Sequence, residues 1–502
     1  MKVPTAGLLL AARRGTRRDA VAPAPPWLPP LFACGAAAPL LLVFVTWGLG
    51  EGGAAATRGA LNLWLGGTLA RAGHVALVFD PDAYWAAARG LLGSALGRHT
   101  WSYPPPLLLL AAPLSLLAPV PAFLAWDAAC GLLLWWGVRS AGLGRTAALL
   151  ALVSPAALES ALAGQLGLLC GALAVPGLLL AERRPYLAGA LLGGLVLKPQ
   201  LGVLMPVVLL ASRNWRAAAA AGGTAAALCL ASVTALSGLG SAGVGRIDLA
   251  GAGATGVADA GMANWAAFVG TVMPYMRRAV LEAPWGPEAW QPMLVTPFAA
   301  ARWAGMPLAA SYAVQAAASA AAAVLCWRAW RPASAADPLA RAVLTLALAL
   351  LATPYGYCYD LPGVAAALAG LAVRNRPWPD AGRLLLALAW VVPGWGTWLA
   401  VLGLPPAGVV AVVAAAFLGW KTLGQGALPR SAATRRSDSG CADAPRGRPD
   451  RLVGGGHSPR HGGPVLGRYL GTRRHGDGEQ RHGPVKAGDD AAEHGVVGAA
   501  AG

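Results

Sequence analysis

Long apolar runs dominate the chain, and arginines mark their ends. Stretches bounded by arginines lie at 145–183, 184–213 and 341–374, and a fourth lies between Arg383 and Lys421. Each of them is long enough for two helices of about 12–18 residues. Within a membrane only structures that satisfy their own backbone hydrogen bonds are stable, and helices do so. The pattern therefore predicts an all-α polytopic membrane protein with roughly 10–13 membrane segments.

Each stretch is interrupted near its middle by polar or helix-breaking residues. The interruptions read AGQ at 163–165, LKPQ at 197–200, TPYGYCYD at 353–360 and PGWG at 393–396. The positive-inside rule places the arginines in the cytoplasm, and therefore the interruptions on the opposite side. A helix of about 13 residues covers about 20 Å, against a hydrocarbon core of about 30 Å. Irregular backbone at that depth survives only around a protein-lined cavity, so we expect re-entrant-type hairpins that line one outward-facing cavity.

The chain divides by composition into three parts. Residues 1–30 form a predicted cytoplasmic tail, because a short apolar run is followed by arginines and not by a cleavage site. Residues 31–421 hold the membrane domain, with predicted outer loops at 49–103 and 238–305. Residues 422–502 are rich in Gly, Arg, Pro and Asp without an apolar period, which predicts a disordered basic tail.

The run at 104–138 does not fit the alternation of crossings. It is long enough for two membrane segments, whereas its neighbours require one. Prolines from Pro104 to Pro121 interrupt it. We therefore expect one arm of this run to be re-entrant or to lie at the membrane interface.

Composition supports the membrane interpretation. The 502 residues are 56% hydrophobic and 12% charged, whereas soluble domains carry about 25% charged residues. Arginines at segment ends and in the C-terminal tail contribute to a net charge of +17, which indicates membrane orientation and not a nucleic-acid partner. The 7 cysteines are scattered without a C-x-x-C pair, which predicts neither a disulfide framework nor a metal site.

Asp80 and Asp82 are the candidate catalytic residues. They lie in DPDAYW, within the predicted first outer loop. A carboxylate near a dry cavity can act as a general base and take the proton from an attacking hydroxyl. The same motif is typical of a helix N-terminus, with Pro81 at the first helical position and Asp82 in the first turn. The sequence leaves both interpretations open.

Polar residues in the interruptions are the candidate substrate-binding residues. Glu159 and Gln165 flank the first interruption, where a costly intramembrane carboxylate faces either the cavity or a structural partner. Lys198 and Gln200 flank Pro199 in the second. A lysine there either neutralises an anion such as a phosphate or extends its side chain to the membrane surface.

Residues near the other interruptions complete this set. Tyr103 lies in HTWSYPPP, where a tyrosine serves either a substrate site or an interfacial belt. Tyr357, Tyr359 and Asp360 belong to TPYGYCYD, and the tyrosines offer hydroxyls and ring faces to a cavity. Asp360 could cap the following helix, pair with Lys198 or contact the substrate.

These motifs, in this order, resemble a known family. WSYPPPLLLLAAPLSLLAP, AGQLGLL, RRPYLAGALLGGLVLKPQ and TPYGYCYDL are similar to segments of glycosyltransferase family 87, the bacterial polyprenol-phosphate-mannose-dependent mannosyltransferases. The resemblance implies the GT-C fold and an enzyme that moves a mannose-like hexose from a polyprenyl-phosphate donor to the hydroxyl of a lipid or glycan acceptor. It also implies a bacterial inner membrane location with the active site facing the periplasm.

One motif of that family is absent. The family carries its catalytic carboxylate in a DF pair early in the first outer loop, and the corresponding stretch here reads RGALNLWLGG, without an aspartate. Either Asp80 or Asp82 has taken this role, or another residue has, or this branch no longer catalyses transfer.

The implied reaction agrees with the residue types. A polyprenyl phosphate is a good leaving group, so the reaction needs a base for the acceptor and positive charge for the phosphate, which either Lys198 or a nearby arginine supplies. The polyprenyl chain needs an apolar groove open to lipid. No resident cofactor is expected, although a divalent ion between an aspartate and the phosphate stays open. The alternative function is a transporter or flippase for a lipid-linked or anionic solute, since broken helices also suit transporters.

Overall fold

The structure, a computed structural model, describes most of the predicted membrane domain. The described ranges are 58–93, 99–240, 254–285, 291–334, 336–374, 379–401 and 407–423, with a few isolated positions besides. The predicted tail at 1–30 and nearly all of the one at 422–502 lie outside these ranges.

The N-terminal half is built from short helices, many of which begin with a proline. Proline suits the first helical position because its missing N–H would have no partner there. The α-helices of this half are α1 (Arg58–Arg71), α2 (Val75–Val78), α3 (Pro81–Leu92), α4 (Leu108–Leu114), α5 (Pro119–Ser140), α6 (Gly144–Leu152), α7 (Pro155–Leu162), α8 (Gly167–Leu179), α9 (Pro185–Gly193) and α10 (Met205–Ala211).

The C-terminal half contains longer helices. Its α-helices are α11 (Trp215–Gly240), α12 (Ala254–Ala267), α13 (Met273–Met276), α14 (Pro297–Trp303), α15 (Leu308–Trp330), α16 (Pro338–Leu351), α17 (Pro362–Val373), α18 (Asp380–Val401) and α19 (Ala407–Leu423). Tighter 3-10 turns occupy Pro105–Leu107, Gly194–Leu197, Pro199–Leu201, Gln291–Met293 and Cys358–Asp360.

Several helices are suited to cross a membrane. By length and composition α5, α11 and α15 qualify, and the pair α6 and α7, bent by 46°, counts as a fourth span if taken together. Large apolar side chains on these helices face outward, such as Leu132, which is 69% exposed. The described ranges form helices and no β-strand. The predicted all-α polytopic membrane fold is confirmed.

Three of the predicted interruptions coincide with real breaks in the helices. They separate α7 from α8, the 3-10 turn Gly194–Leu197 from Pro199–Leu201, and α16 from α17. The fourth prediction is wrong, because α18 continues through Pro393 and ends at Val401. Membrane helices tolerate proline when neighbouring groups support them. Here Gly394 packs against α7, where an added Cβ would lie 3.1 Å from the Cα of Pro155.

The difficult run at 104–138 forms one long crossing and one short arm. The crossing is α5, and the arm consists of the turn Pro105–Leu107 followed by α4, which packs against α1. The arm is shorter than the helices that qualify as spans, and its re-entrant or interfacial placement stays a prediction.

The centre of the domain is formed by α8, α16 and α17, whose residues are almost all buried. Each of these helices has one end at an interruption and the other near charged residues. At the charged end Arg341 Nη2 lies 2.7 Å from Glu182 Oε1, and Arg374 pairs with Asp337. These three helices contact one another, and their interruptions lie at the ends away from these charged pairs.

Candidate functional site

A polar cavity lies where the interruptions meet. It receives side chains from α1, from the segment before α4, from the breaks after α7 and around Pro199, from α13 and the π-helical turn that follows it, and from the tyrosine-rich patch. The polar lining residues are Asn62, His99, Thr100, Ser102, Tyr103, Gln165, Lys198, Gln200, Tyr275, Tyr357 and Tyr359. The structure thus brings together most of the residues proposed from the sequence as substrate-binding.

Lys198 lines the cavity and lies where the helical backbone is interrupted. It separates two 3-10 turns and has φ −145° and ψ 75°. Pro199 is the cause, because proline disfavours helical angles in the residue before it. The lysine side chain is 3% exposed, and its Nζ lies 5.0 Å from the centre of the Tyr359 ring. The side chain therefore does not extend to the membrane surface.

Asp360 holds this lysine from behind the cavity wall. Lys198 Nζ forms an ion pair with Asp360 Oδ1. Asp360 Oδ2 accepts a hydrogen bond of 3.3 Å from the backbone N–H of Tyr357. Helix α17 has Leu361 at its N-cap without a side-chain hydrogen bond. Of the three alternatives for Asp360, the structure shows the pairing with Lys198.

The patch TPYGYCYD forms a turn at Pro354 and Tyr355 and ends in the 3-10 turn Cys358–Asp360. Its backbone is fixed by a hydrogen bond of 2.9 Å from Val295 N to Gly356 O. The rings of Tyr357 and Tyr359 lie parallel, with centroids 5.0 Å apart and an angle of 8° between the planes. Both tyrosines line the cavity. Their ring faces and hydroxyls can hold a sugar by apolar contact and hydrogen bonding.

Gln165 and Tyr103 form another part of the wall. Tyr103 Oη donates a hydrogen bond of 2.8 Å to Gln165 Oε1. Gly164 ends the preceding turn with φ +61°, a left-handed conformation that favours glycine. Helix α1 packs against this turn, since a Cβ on Gly164 would lie 2.5 Å from the backbone nitrogen of Ala60. Glycine at 164 therefore positions both Gln165 and α1.

Asn62 lines the cavity but was not among the predicted site residues. It belongs to the stretch RGALNLWLGG, where the family resemblance leads one to expect an aspartate. The buried Tyr84 hydroxyl lies 2.7 Å from Asn62 Oδ1 and 2.9 Å from Asn62 O, so it donates to these acceptors. A polar residue on an otherwise apolar helix is a usable signal.

A wall contributed by the predicted outer loop 238–305 was also outside the predicted set. Tyr275 and Met276 of α13 and Ala279 and Val280 after it line the cavity. Two π-helical segments, Phe268–Val272 and Arg277–Glu282, flank α13. Such widened turns recur at functional sites, and no local sequence pattern predicts them.

Glu159 does not line the cavity. It is buried on α7, and its Oε1 accepts a hydrogen bond of 2.9 Å from Cys358 Sγ. This bond connects α7 to the tyrosine-rich patch. Of the two interpretations of Glu159, the structure therefore shows the one in which the carboxylate has a structural partner.

The structure does not bring Asp80 and Asp82 to the cavity. Asp80 caps α3, because its Oδ1 accepts hydrogen bonds of 3.0 Å from the backbone N–H groups of Asp82 and Ala83. Both aspartates are exposed, and neither lines the cavity. A general base must lie within hydrogen-bond reach of its substrate. The catalytic role predicted for these residues therefore has no support in their placement, and the helix-cap alternative describes Asp80.

Of the described residues that line the cavity, Lys198 supplies the positive charge. In the described ranges, no group of three or more His, Cys, Asp and Glu side chains is placed to hold a metal ion.

The fold and the cavity define a polytopic helical membrane protein with a buried polar site. Comparison with known families matches residues 101–354, just over half of the chain, to glycosyltransferase family 87, and the chain belongs to this family. It is therefore a membrane glycosyltransferase, and the resemblance seen in the sequence is confirmed. No curated protein and no solved structure matched the chain.

Proposed function

We propose that this chain transfers a mannose-like hexose from a polyprenyl-phosphate donor to the hydroxyl of a lipid or glycan acceptor, on the periplasmic side of a bacterial inner membrane. Family membership supports glycosyl transfer. The observation that carries the donor assignment is the position of Lys198 beside both the polar cavity and an apolar groove.

The apolar groove lies between α11 and the hairpin formed by residues 185–211. It has a volume of about 440 Å³, within the range of about 300–1,000 Å³ typical of ligand pockets. Small residues on α11 leave room for it. The residues that line the groove include Leu192, Leu195, Val196, Pro199, Met205, Leu209, Ala218, Ala221, Gly222 and Ala225.

The groove and the cavity are both lined by residues of the stretch 198–200. Lys198 and Gln200 line the polar cavity, whereas Pro199 between them lines the groove. A phosphate held by Lys198 would therefore place an attached chain in the groove. Leu210 lines the groove and is 48% exposed, so the groove opens on the surface that faces lipid. An isoprenoid chain is the occupant with the matching chemistry, and a water-soluble sugar nucleotide has no part that would fill it.

The remaining wall suits the sugar and the leaving group. Tyr357 and Tyr359 present ring faces and hydroxyls, and Gln165 and Gln200 present amides that bind sugar hydroxyls. The ammonium of Lys198 stabilises the negative charge that grows on the phosphate as the sugar leaves. Asp360 keeps the ammonium in place from outside the cavity.

The test uses membranes that contain the full chain, incubated with radiolabelled polyprenyl-phosphate mannose or polyprenyl-phosphate glucose. We expect label to move from one of these donors to a membrane acceptor, and no transfer from either would contradict the proposed donor class. Gly222→Leu and Gly223→Leu form a matched pair for the groove. An added Cβ meets no atom within 4 Å at either glycine, but only Gly222 lines the groove.

The two glycine variants are expected to differ in their KM for the donor. Gly222→Leu fills part of the groove, so KM for a long-chain donor rises while kcat changes little, because the loss is in binding alone. Gly223→Leu keeps the wild-type KM. With a short-chain donor analogue the two variants behave alike. Equal KM values for the long-chain donor in both variants would show that the chain binds elsewhere.

A further inference from the structure

We propose that the imidazole of His99 is the general base that activates the acceptor hydroxyl, an inference that rests on the proposed function. In the transfer, the acceptor oxygen bonds to C1 of the sugar while the bond from C1 to the phosphate oxygen breaks. The electron pair of that bond leaves with the polyprenyl phosphate, and the acceptor proton passes to His99. The base must therefore lie in the wall of the cavity.

The carboxylates described near the cavity do not meet this requirement. Asp80 and Asp82 are exposed and outside the cavity, and Asp80 is engaged as a helix cap. Asp360 lies behind the wall in its ion pair with Lys198, and Glu159 accepts the Cys358 thiol. Neither of these two buried carboxylates lines the cavity.

His99 does meet the requirement. It lines the cavity together with Lys198, Gln165 and the tyrosines, and it is buried, at 8% exposed. Tyrosine hydroxyls are protonated at neutral pH and accept a proton poorly, and a lysine in an ion pair has no free electron pair. Histidine is the side chain used most often as a general base near neutral pH. Of the described lining residues, His99 thus has the chemistry for this step.

The backbone beside His99 is fixed, as a catalytic position requires. Trp101 is fully buried and its ring meets the Tyr103 ring edge to face, with centroids 5.4 Å apart. An added Cβ on Gly66 of α1 would lie 2.5 Å from Cε3 of the Trp101 ring, so this ring packs directly on the helix. Asn62 of the same helix donates a long hydrogen bond of 3.5 Å to Thr100 O. These contacts place the segment that carries His99 against the same helix that supplies Asn62.

The test compares His99→Gln and His99→Ala with His74→Gln in the donor assay. His74 is a half-buried residue between α1 and α2 that does not line the cavity. Loss of the base is expected to lower the transfer rate by about 10²–10⁴-fold, the usual contribution of general acid–base catalysis. Added imidazole should restore part of the rate in His99→Ala, which a purely structural role of His99 would not allow. His74→Gln should retain the wild-type rate.

A second measurement uses the unaltered protein, so that it does not depend on the folding of a variant. Diethyl pyrocarbonate should modify His99, and bound polyprenyl-phosphate mannose should protect it, as read by mass spectrometry of the His99 peptide. Transfer by the wild type but also by His99→Gln at an equal rate would overturn the inference and leave the proposed function intact. The inference would also be overturned if Asp80→Asn or Asp82→Asn lost transfer while His99→Gln remained active. Absence of transfer by the wild type from every donor tested would instead overturn the proposed function.

Discussion

The buried pair of Lys198 and Asp360 allows the folding role of a residue to be separated from its role in transfer. Both side chains are nearly inaccessible, at 3% and 0% exposed. Lys198→Met leaves the carboxylate of Asp360 buried without its partner, which destabilises a protein by about 3–5 kcal/mol. In the double variant Lys198→Met with Asp360→Asn neither charge of this pair remains. Replacing both members of a buried pair is often neutral, so the double variant should be close to wild type in stability.

The transfer rates of these variants should rank differently from their stabilities. Both variants without Lys198 lack the positive charge at the phosphate. A comparable loss of one preorganised electrostatic group costs about 10²–10³-fold in kcat. The double variant should therefore fold like the wild type and still transfer sugar at a rate lower by this factor. Stability is measured as the midpoint of thermal unfolding in detergent, and transfer by the radiolabelled-donor assay. Lys421→Gln is the control, because Lys421 is an exposed residue in the last turn of α19.

Two results would refute this reasoning. If the double variant transfers sugar at the wild-type rate, Lys198 does not act on the phosphate and its role is structural. If Lys198→Met unfolds at the wild-type midpoint, the ion pair does not contribute to folding, and the buried contact in the structure carries no energetic weight.

Further predictions concern the residues that position the wall. Gly164→Ala should destabilise the protein and lower transfer, because Gly164 combines φ +61° with close contact to α1. Gly142 has φ +82° but open space around it, so Gly142→Ala should lower only the free energy of unfolding, by the backbone cost of about 1–2 kcal/mol. Equal effects of the two variants on transfer would contradict the role of the α1 contact. Tyr84→Phe should cost about 1–3 kcal/mol, because Asn62 loses its buried donor; an unchanged unfolding midpoint would count against this bond.

The breaks in the helices were largely predictable because they are local features. Proline disrupts a helix and charged residues are costly in lipid, so LKPQ and TPYGYCYD stood out within apolar runs. The same rule failed at Pro393. The next residue, Gly394, packs against Pro155 of α7, more than two hundred positions earlier in the chain. A contact over that separation leaves no trace in the local pattern.

A residue of the site could be predicted mainly where its polar or charged side chain was energetically costly to bury in its own apolar segment. Lys198 and Gln165 could be found in this way, and the pairing of Lys198 with Asp360 could be proposed but not chosen, since 162 positions separate the two residues. Asp80 shows the opposite case, because its local role as a helix cap was readable from DPDAYW and was the role the structure shows. Asn62 is a polar residue on a largely apolar helix and so leaves a signal in the sequence. Its place in the cavity, like that of His99, follows from the packing of α1 against the chain before α4, which is visible only in the tertiary structure.

The packing below the cavity argues for a transferase over a transporter or flippase. A transporter must open its binding site toward both sides of the membrane, whereas a transferase with a lipid donor needs entry from one side and from the bilayer. Behind Asp360 lies a space of about 20 Å³, which is room for about one water molecule and not for a sugar. Beyond it α8 and α17 meet so closely that a Cβ on Gly171 would lie 2.9 Å from the backbone nitrogen of Gly363. Opening this side would separate that contact and the buried ion pair of Lys198, whereas in the proposed function a lipid-linked sugar reaches the cavity by the apolar groove beside Pro199.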